Sequence, residues 1–521
     1  MLDVLIRNID IADGSGNPIY RGSVAVKDGK IVKIASAVAE EAKTVIEGKD
    51  GWVLSPGFID THTHSDLLRL VDPTLNPQIV QGVTYDICGN CGISAAPIRP
   101  KTFDLLKKYV EPVLPIKGVD EEWSQMTTFS GYFESLKKRN PSIGMGALVG
   151  HGTLRIAVMG MDNREPTKEE LEEMKAILRE AMESGALGLS SGLIYIPGVY
   201  SKTEELVELC KVVAEYHGIY ATHMRNEGAY VVESVKESID IARKAGVRLI
   251  ISHHKISGFE NHDLYKETLG LIQKAREEGM NIICDQYLYN YGSTGMSALL
   301  PPACQSEGTD GMLKKLKNPA ERAEIIQTMK TDLTYENFLK YLGADAVLVV
   351  SASETKEYNG KFMDEVARLM GKEPEDAVCE LLVQNSGSVL MAVRMCEEDV
   401  VEEIFKFPYT CVGSDGIGAG TGQLTHPRAY GNFVRVFETY VRERHIVSLE
   451  EAVRKCTSLP ADFIGLSTKG HIKEGYDADI VIFDRDKIGT DATFSNPITP
   501  PKGIAYVFVG GKLVVKDCKV I

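Results

Sequence analysis

The chain has 521 residues, a formal net charge of −15 and 25% charged residues, which is typical of a globular protein. The acidic balance argues against nucleic acid and anionic membranes as partners, because phosphate binding requires a basic face. The N-terminus lacks a signal-peptide pattern, no apolar run reaches the roughly 20 residues of a membrane span, and the scattered cysteines indicate reduced thiols. We therefore expect a cytoplasmic protein, and the sequence predicts no particular oligomeric state.

Both ends of the chain are rich in short strand-like runs. A hairpin turn at Asp28-Gly29 lies in the first segment, and another at Gly510-Gly511 lies in the last. Neither segment is long enough to enclose a core of its own. Residues 1–55 and 466–521 therefore predict one small β-sandwich domain that brings the two chain ends together.

Residues 56–465 alternate short apolar runs with longer amphipathic segments. This alternation predicts a parallel sheet, and eight strand-like runs predict an α/β fold, a (β/α)₈ TIM-like barrel with its active site at the C-terminal strand ends. Before the eighth run, a segment at 290–345 predicts a helical insertion that covers the barrel mouth. The predicted barrel strands are residues 53–59, 83–87, 144–149, 186–189, 218–222, 248–252, 281–285 and 409–413.

His62 and His64 follow the first predicted barrel strand. Alternate residues of an extended segment point to the same side, so the two imidazoles converge at a strand end, where a cation could bind. The alternative is a pair of surface loop histidines. The preceding strand and the neighbouring Asp60 favour the metal site.

Cys88 and Cys91 form a Cys-x-x-Cys motif after the second predicted strand. This spacing is compatible with a redox pair or with half of a zinc knuckle, but the chain has no second motif of this kind. Cys88 belongs to the apolar run and is assigned to the core. Cys91 lies beyond the strand end, where its thiolate could bind a metal.

Histidines close two consecutive predicted strands. His223 follows the strand at 218–222, and His253 ends the strand-like run that begins at Arg248. One such histidine could be structural, whereas two in succession favour a set of metal ligands. His254 should point away from its neighbour, and we expect it to lie behind the ligands.

Asp415 closes the eighth predicted strand. An Asp-Gly turn is the alternative explanation. A carboxylate that faces a metal at a barrel strand end could act as general base to a bound water. Lys255, Tyr287 and Arg428 could anchor an anionic group, although each taken alone is more often an ordinary solvated residue.

Together these motifs resemble the D-aminoacylases (N-acyl-D-amino-acid deacylases) of the amidohydrolase superfamily, nearly from end to end. The Asn90-Cys91-Gly92 motif is the most specific, because it separates this branch from relatives that bridge two metals with a carboxylated lysine. The matching motifs are residues 56–64, 89–94, 150–155, 190–198, 223–227, 252–255, 413–416 and 426–428.

The resemblance implies the same barrel and a zinc cofactor. One zinc ion would be tightly bound, and a second, weaker metal position would lie beside it. The implied ligands of the tight position are Cys91, His223 and His253, and those of the weaker position are His62, His64, Cys91 and Asp415.

The resemblance also implies hydrolysis of the amide bond of small N-acyl-D-amino acids. Asp415 would be the general acid and base, and Tyr195 would approach the scissile carbonyl. The substrate's α-carboxylate would be received by Lys255, Tyr287, Ser293 and Arg428. His151 would lie behind the metal ligands, as would His254.

Two other functions were considered. The first is a dihydroorotase-like or hydantoinase-like cyclic amide hydrolase, whose members typically carry a bridging lysine where this chain presents Cys91. The second is a barrel without metal ligands that acts as a binding protein, which the full ligand set disfavours. The chain departs from the family pattern in the glycine-rich loop at 417–425, which we expect to affect side-chain preference.

Overall fold

The computed structural model describes residues 1–114, 117–418 and 424–521 of the chain. In these residues 20 strands form a nine-stranded, an eight-stranded and a three-stranded sheet. In chain order they are β1 (Leu2–Ile11), β2 (Tyr20–Lys27), β3 (Lys30–Ala35), β4 (Ala42–Glu47), β5 (Trp52–Pro56), β6 (Phe58–Asp60), β7 (Val83–Cys88), β8 (Gly144–Gly150), β9 (Gly188–Gly192), β10 (Ile219–His223), β11 (Arg248–Ile251), β12 (Ile282–Gln286), β13 (Tyr291–Gly295), β14 (Val347–Ala352), β15 (Val389–Arg394), β16 (Thr410–Val412), β17 (Ile480–Asp484), β18 (Ile504–Val509), β19 (Lys512–Lys516) and β20 (Lys519–Val520).

Strands β6 to β12 and β16 form one parallel sheet in the order of the chain. A parallel bridge between Thr63 and Gly416, just beyond the first and last of these strands, nearly closes the sheet into a barrel. Each observed strand overlaps one of the eight predicted runs. The predicted (β/α)₈ barrel is therefore confirmed.

The helices between the strands follow the predicted amphipathic segments. One of them, Lys168–Glu183, begins at a capping box in which Thr167 and Glu170 satisfy each other's backbone N–H groups. No helix of the described residues is long and apolar enough to cross a membrane.

In chain order the α-helices are α1 (Leu68–Val71), α2 (Asn76–Ile79), α3 (Phe103–Val110), α4 (Asp120–Ser124), α5 (Phe129–Lys138), α6 (His151–Met159), α7 (Lys168–Glu183), α8 (Thr203–Glu215), α9 (Val231–Ala245), α10 (Leu264–Glu277), α11 (Gly308–Lys317), α12 (Pro319–Thr331), α13 (Phe338–Leu342), α14 (Met363–Met370), α15 (Pro374–Gln384), α16 (Glu398–Lys406), α17 (Arg428–Arg435), α18 (Leu449–Cys456) and α19 (Ser458–Ile464). Short 3₁₀-helices cover Pro100–Thr102, Gly198–Tyr200, Phe259–Asn261, Met296–Leu299, Pro302–Gln305, Ala344–Ala346 and Lys356–Tyr358, and a π-helix covers Val436–Glu443.

The barrel interior is apolar below the strand ends. Ile219 and Ala221 pack there with inward-facing residues of the other strands, and residues of α19 close the N-terminal end. Alternate residues of a strand face the same side, so His223 continues this inward row at the C-terminal end of β10. The C-terminal strand ends thus present polar groups at one rim of an otherwise apolar core.

The small domain is built from both chain ends, as predicted. Strands β1 to β5 and β17 to β20 form one sheet, in which β5 pairs antiparallel with β17. Strand β5 leads directly into barrel strand β6. Phe58 of β6 stacks on Phe437 at a centroid distance of 5.3 Å, and Phe483 of β17 lies 4.8 Å from Phe437. This aromatic contact fixes the small domain against the barrel.

The segment between β12 and β16 contains more than the predicted helices. Helices α11 to α15 are present, but β13, β14 and β15 also form an antiparallel sheet that the sequence analysis did not predict. Strand β13 is rich in Gly, Ser and Thr and is no apolar run, and the pairing partners of the sheet lie far apart in the chain, so local pattern alone does not identify it. The sheet matters because β13 lines the cavity at the barrel mouth.

Candidate metal centre and active site

Cys91 lies at the centre of the polar groups at the barrel mouth. Its Sγ is 3.3 Å from Nε2 of His62 and 3.4 Å from Nε2 of His253. A tetrahedral zinc with a Zn–S bond of about 2.3 Å and a Zn–N bond of about 2.1 Å sets sulfur and nitrogen about 3.6 Å apart. The observed separations therefore suit ligands of a common ion.

His223 contributes a buried imidazole, with Nε2 3.6 Å from Glu227 Oε2. Its ring is 4.4 Å from that of His253, and neither ring nitrogen has a hydrogen-bond partner among the described residues. Burying unpaired polar atoms is costly, and a bound cation would remove that cost. With a neighbouring thiolate, this donor set fits zinc better than a hard cation such as magnesium.

The Cys91 thiol is held in its charged form. Burial opposes ionisation, but the neighbouring imidazoles, His62 foremost, hold the pKa of this thiol well below its usual range. The thiolate is the form that binds a metal. The site therefore presents a sulfur ligand that is already deprotonated.

Asp415 lies on the other side of His62 and His64. One carboxylate oxygen is 3.2 Å from Nε2 of His64 and 3.7 Å from Nε2 of His62, and the other is 2.8 Å from Arg428 Nη2. Burial opposes its charge, yet Arg428 and the hydrogen bond from His64 hold the pKa of Asp415 well below its usual range. The carboxylate is therefore ionised and fixed on both oxygens.

Three of these residues have left-handed backbone conformations. The φ angles are 54° at Cys91, 37° at His253 and 49° at Asp415. Such conformations cost about 1–3 kcal/mol each for a residue other than glycine, so the surrounding structure must enforce them. All three lie just past a barrel strand end and line the same cavity.

Two carboxylates lie behind the histidines. Glu227 Oε1 is 3.0 Å from Nδ1 of His253, and Asp285 Oδ1 is 3.3 Å from Nδ1 of His62. In both rings Nε2 faces Cys91. A carboxylate on the second ring nitrogen orients a metal-binding histidine and fixes its tautomer.

Lys255 is paired inside the protein. Its Nζ donates to both oxygens of Glu227 at 2.8 and 2.9 Å and lies 2.8 Å from Nδ1 of His253. Burial opposes the charge of Glu227, but Lys255 and His223 hold its pKa well below the usual range. The Lys255 ammonium group is therefore bound to Glu227, although Lys255 also lines the cavity.

Arg428 is predicted to anchor the substrate's carboxylate, and part of its guanidinium has no hydrogen-bond partner among the described residues. Its side chain is buried, its guanidinium lies 4.3 Å from the ring centroid of Tyr287, and Nη2 also donates to the Ser293 carbonyl at 3.2 Å. Nε and Nη1 have no hydrogen-bond partner among the described residues. The Ser293 hydroxyl is less available, because it donates to the Met391 carbonyl at 2.7 Å.

The other predicted residues occupy different places. Tyr195 lines the cavity, and its hydroxyl is 3.0 Å from Thr294 Oγ1. His254 points away from the cavity, with Nε2 3.0 Å from Thr268 Oγ1. His151 Nε2 is 2.7 Å from a Glu205 oxygen. Of the loop at 417–425, Ile417 lines the cavity, and residues 419–423 lie outside the described residues.

Several residues of the site were not predicted from the sequence. Asp285 lies one residue before the end of barrel strand β12, so the strand-end position that identified His223 and Asp415 could also have identified it. Glu227 lies within a recognised motif but had no assigned role. Glu336, whose Oε1 accepts a hydrogen bond from the backbone N–H of Glu227 at 3.0 Å, belongs to the insertion and follows no strand.

Comparison with known proteins supports one family. A model of the amidohydrolase family matches residues 50–270 and 400–515. A D-aminoacylase of Alcaligenes xylosoxydans xylosoxydans is 34% identical over 99% of this chain and 95% of its own. An N-acyl-D-aspartate deacylase of the same organism is 33% identical over 98% of this chain and 92% of its own.

A solved structure agrees with this similarity. The N-acyl-D-glutamate deacylase from Bordetella bronchiseptica, in complex with zinc and a phosphonate inhibitor that mimics the tetrahedral intermediate, matches with a TM-score of 0.81 and 31% identity. The match covers 98% of this chain and 96% of that one. The chain belongs to the amidohydrolase family.

Proposed function

We propose that this chain hydrolyses the amide bond of N-acyl-D-amino acids, releasing a carboxylate and a free D-amino acid. The observation that carries the proposal is the Cys91 thiolate within 3.4 Å of two imidazoles, beside the Asp415–Arg428 pair. The first group suits zinc, and the second suits an anionic substrate. Relatives that resemble the chain over nearly its full length are named for D-amino acid deacylation.

Two metal positions would share the Cys91 thiolate. Cys91, His223 and His253 would hold one zinc tightly, because the ion would satisfy a buried, unpartnered nitrogen of His223. His62, His64 and Asp415, whose ligand atoms lie within 4.8 Å of one another, would form the second, weaker position together with Cys91. Zinc, when bound, supplies Lewis acidity, which polarises the amide carbonyl and makes water more acidic.

Asp415 would transfer the proton. As an ionised carboxylate it accepts one proton from the attacking water while the C–O bond forms at the carbonyl carbon. It returns this proton to the amide nitrogen as the C–N bond breaks, which gives a neutral amine leaving group. The contacts with His64 and Arg428 hold the carboxylate in place through both steps.

Arg428 would bind the substrate's α-carboxylate through an unpartnered donor, Nε or Nη1. A charged donor makes a stronger hydrogen bond to a carboxylate than a neutral one does. Tyr287 lies against the guanidinium, and Ser293 and Lys255 complete this side of the cavity. The Tyr195 hydroxyl would donate a hydrogen bond to the carbonyl oxygen as that oxygen becomes negative.

Glu227 and Asp285 would act as positioning residues. Each faces Nδ1 of a histidine whose Nε2 faces Cys91, so each would accept the Nδ1–H and keep Nε2 free for the metal. Lys255 neutralises the Glu227 charge.

The direct test is a panel of N-acetyl-D- and N-acetyl-L-amino acids, with hydantoins as cyclic controls. Metal-free protein is titrated with zinc, and hydrolysis is followed by release of the free amine. We expect hydrolysis of the D series, rising with zinc. Hydrolysis of the L series alone, or of hydantoins alone, would contradict the proposal.

A further inference from the structure

A second cavity adjoins the metal cavity. The two share Ile93, Val113, Ile194, Tyr195 and Thr294 in their walls. The second cavity has a volume of about 90 Å³, well below the roughly 300–1,000 Å³ of a pocket for a whole ligand, so it suits a single substituent. Because it adjoins the metal cavity, a substrate bound at the metal centre would direct one substituent towards it.

The wall of this second cavity is nearly free of charge. Of the described residues that form it, Lys108 alone is charged, and it is half-exposed at the edge and paired with Asp310 at 2.5 Å. Apolar side chains of Ile93, Val113 and Ile194 form the part next to the metal centre. Tyr, Thr, Ser and Gln side chains supply the neutral polar groups.

Lys255, in the wall of the metal cavity, is paired with Glu227. Arg428 is paired with Asp415, and its unpartnered donors would serve the α-carboxylate. Pro115, Ile116 and residues 419–423 lie outside the described residues, and none of them is basic in the sequence. A second carboxylate on the substrate would therefore enter a cavity without a free cation among the described residues.

Building on the proposed function, we propose that this enzyme selects N-acyl-D-amino acids with an uncharged, branched apolar substituent that fills the second cavity, and that it discriminates against N-acyl-D-aspartate and N-acyl-D-glutamate. Overall similarity does not decide this point, because the D-aminoacylase and the N-acyl-D-aspartate deacylase are 34% and 33% identical to the chain. The lack of free positive charge in the cavity wall is what favours the apolar substrates.

The expected discrimination follows from burial. Each buried methylene strengthens binding roughly fourfold. An unpaired carboxylate loses its hydration on entering the same space and gains no counter-ion, which is strongly unfavourable. The apolar substituent can be the amino-acid side chain or the acyl group. These two groups extend from the scissile amide in opposite directions.

The test compares kcat/KM of the zinc-loaded enzyme for five substrates: N-acetyl-D-alanine, N-acetyl-D-leucine, N-acetyl-D-aspartate, N-acetyl-D-glutamate and N-isohexanoyl-D-alanine. We expect N-acetyl-D-leucine or N-isohexanoyl-D-alanine to exceed N-acetyl-D-alanine by at least about tenfold, and both acidic substrates to fall below it. The substrate that gains identifies which group fills the cavity. Equal or higher values for an acidic substrate, or no gain for either apolar substrate, would overturn the inference while leaving the proposed function intact. Failure to hydrolyse any of the five would overturn both.

A pair of variants tests the wall itself. Ile194 is partly exposed, so its replacement leaves the core intact. We expect Ile194→Lys to raise the ratio of kcat/KM for N-acetyl-D-glutamate over N-acetyl-D-leucine by about tenfold relative to the uncharged control Ile194→Gln. Thr309→Lys against Thr309→Gln repeats the comparison on helix α11, in case the first pair fails to fold. An unchanged ratio in folded, zinc-loaded variants at both positions would overturn the role of the wall.

Discussion

Arg428 and Asp415 form a buried ion pair at the barrel mouth, with 2.8 Å between Nη2 and Oδ2. The pair is asymmetric, because the carboxylate also contacts His64 whereas two nitrogens of the guanidinium have no partner in the described part of the chain. One arginine can thus hold the proton-transfer group and bind the substrate's carboxylate at the same time. With the substrate's carboxylate on Arg428, the scissile amide would lie next to Asp415.

Arg428→Lys should therefore weaken substrate binding. A lysine keeps the charge but has a single nitrogen, which cannot hold Asp415 and bind the substrate as separate guanidinium nitrogens can, so we expect KM to rise about 10- to 100-fold. The control is an N-acyl amine that lacks the α-carboxylate, which wild-type enzyme and variant should hydrolyse at similar, low rates. An unchanged KM for the N-acyl-D-amino acid would contradict the anchoring role.

Asp415→Asn should abolish proton transfer and keep the fold. We expect kcat to fall by about 10²- to 10⁴-fold, because a neutral amide cannot accept the proton of the attacking water. Zinc content, measured by metal analysis, should stay at one ion or more per chain. Asp462→Asn, at an exposed position of α19, is the control and should retain full activity. Near-normal turnover in Asp415→Asn would contradict the assignment.

Cys91→Ser should remove the tightly bound zinc. The thiolate faces both metal positions, and a serine hydroxyl is a poor ligand for zinc. Cys88→Ser is the matched control three residues away, since Cys88 packs against the backbone of Gly146 and the hydroxyl of Tyr132, away from the histidines. We expect zinc affinity, measured against a competing chelator, to fall at least about 100-fold in the first variant only. Equal losses would show that the two cysteines share one role.

Replacing His62 and His64 tests which of the two proposed metal positions binds zinc more tightly. Replacing both by Asn should leave the zinc held by Cys91, His223 and His253, so that one ion per chain remains in metal analysis. Complete loss of zinc would instead place the tight position at the His62 side.

The barrel could be predicted because its strands contain short local apolar runs, as at residues 249–251 of β11. The strand-end rule then identified candidate ligands, since β10 and β11 end at or just before His223 and His253. The insertion sheet escaped prediction because β13 pairs with β15 across almost 100 residues. Glu336 escaped for the same reason: its contact with Glu227 depends on how the insertion folds over the barrel.

The backbone of the site was also not predictable from the sequence. Left-handed conformations at Cys91 and Asp415 conflict with local preference, and Asp415 could equally have marked an ordinary Asp-Gly turn. Only the tertiary structure enforces them. Local rules fail at the positions where the side chains must turn into the cavity.

Glu227→Gln tests the positioning network. We expect zinc affinity to fall about 10- to 100-fold, because His253 loses the acceptor for its Nδ1–H. Stability should also fall by about 3–5 kcal/mol, because Lys255 is left buried without its partner. The control Glu233→Gln, at an exposed position of α9, should change neither quantity.

A double-mutant cycle separates these two effects. Lys255→Met added to Glu227→Gln should restore part of the stability in urea unfolding, with a coupling of about 0.5–3 kcal/mol, but should not restore zinc affinity. Full additivity of the two stability changes would contradict the ion pair.

The contacts of Glu205, which lies away from the metal ligands, predict how the free energy of unfolding depends on pH. It lies on α8, where its oxygens contact His151 Nε2 at 2.7 Å and Arg155 Nη1 at 2.5 Å. Burial raises its pKa, but the hydrogen bond and charge of His151 and the charge of Arg155 outweigh that effect, so the pKa of Glu205 is lower when folded. The folded state therefore binds fewer protons than the unfolded state, and Glu205 stabilises the protein above its unfolded pKa of about 4.3.

This stabilisation disappears as the pH falls from about 4.3 through the folded pKa. Glu205→Gln should cost about 3–5 kcal/mol at pH 7, because Arg155 stays buried without a counter-charge. The difference from wild type, measured by urea unfolding, should shrink as the pH falls below about 4.3 and the wild-type carboxylate becomes neutral. Glu204→Gln, at the exposed neighbouring position, should show no such dependence. A difference that stays constant from neutral to acidic pH would mean that Glu205 acts through packing and not through its charge.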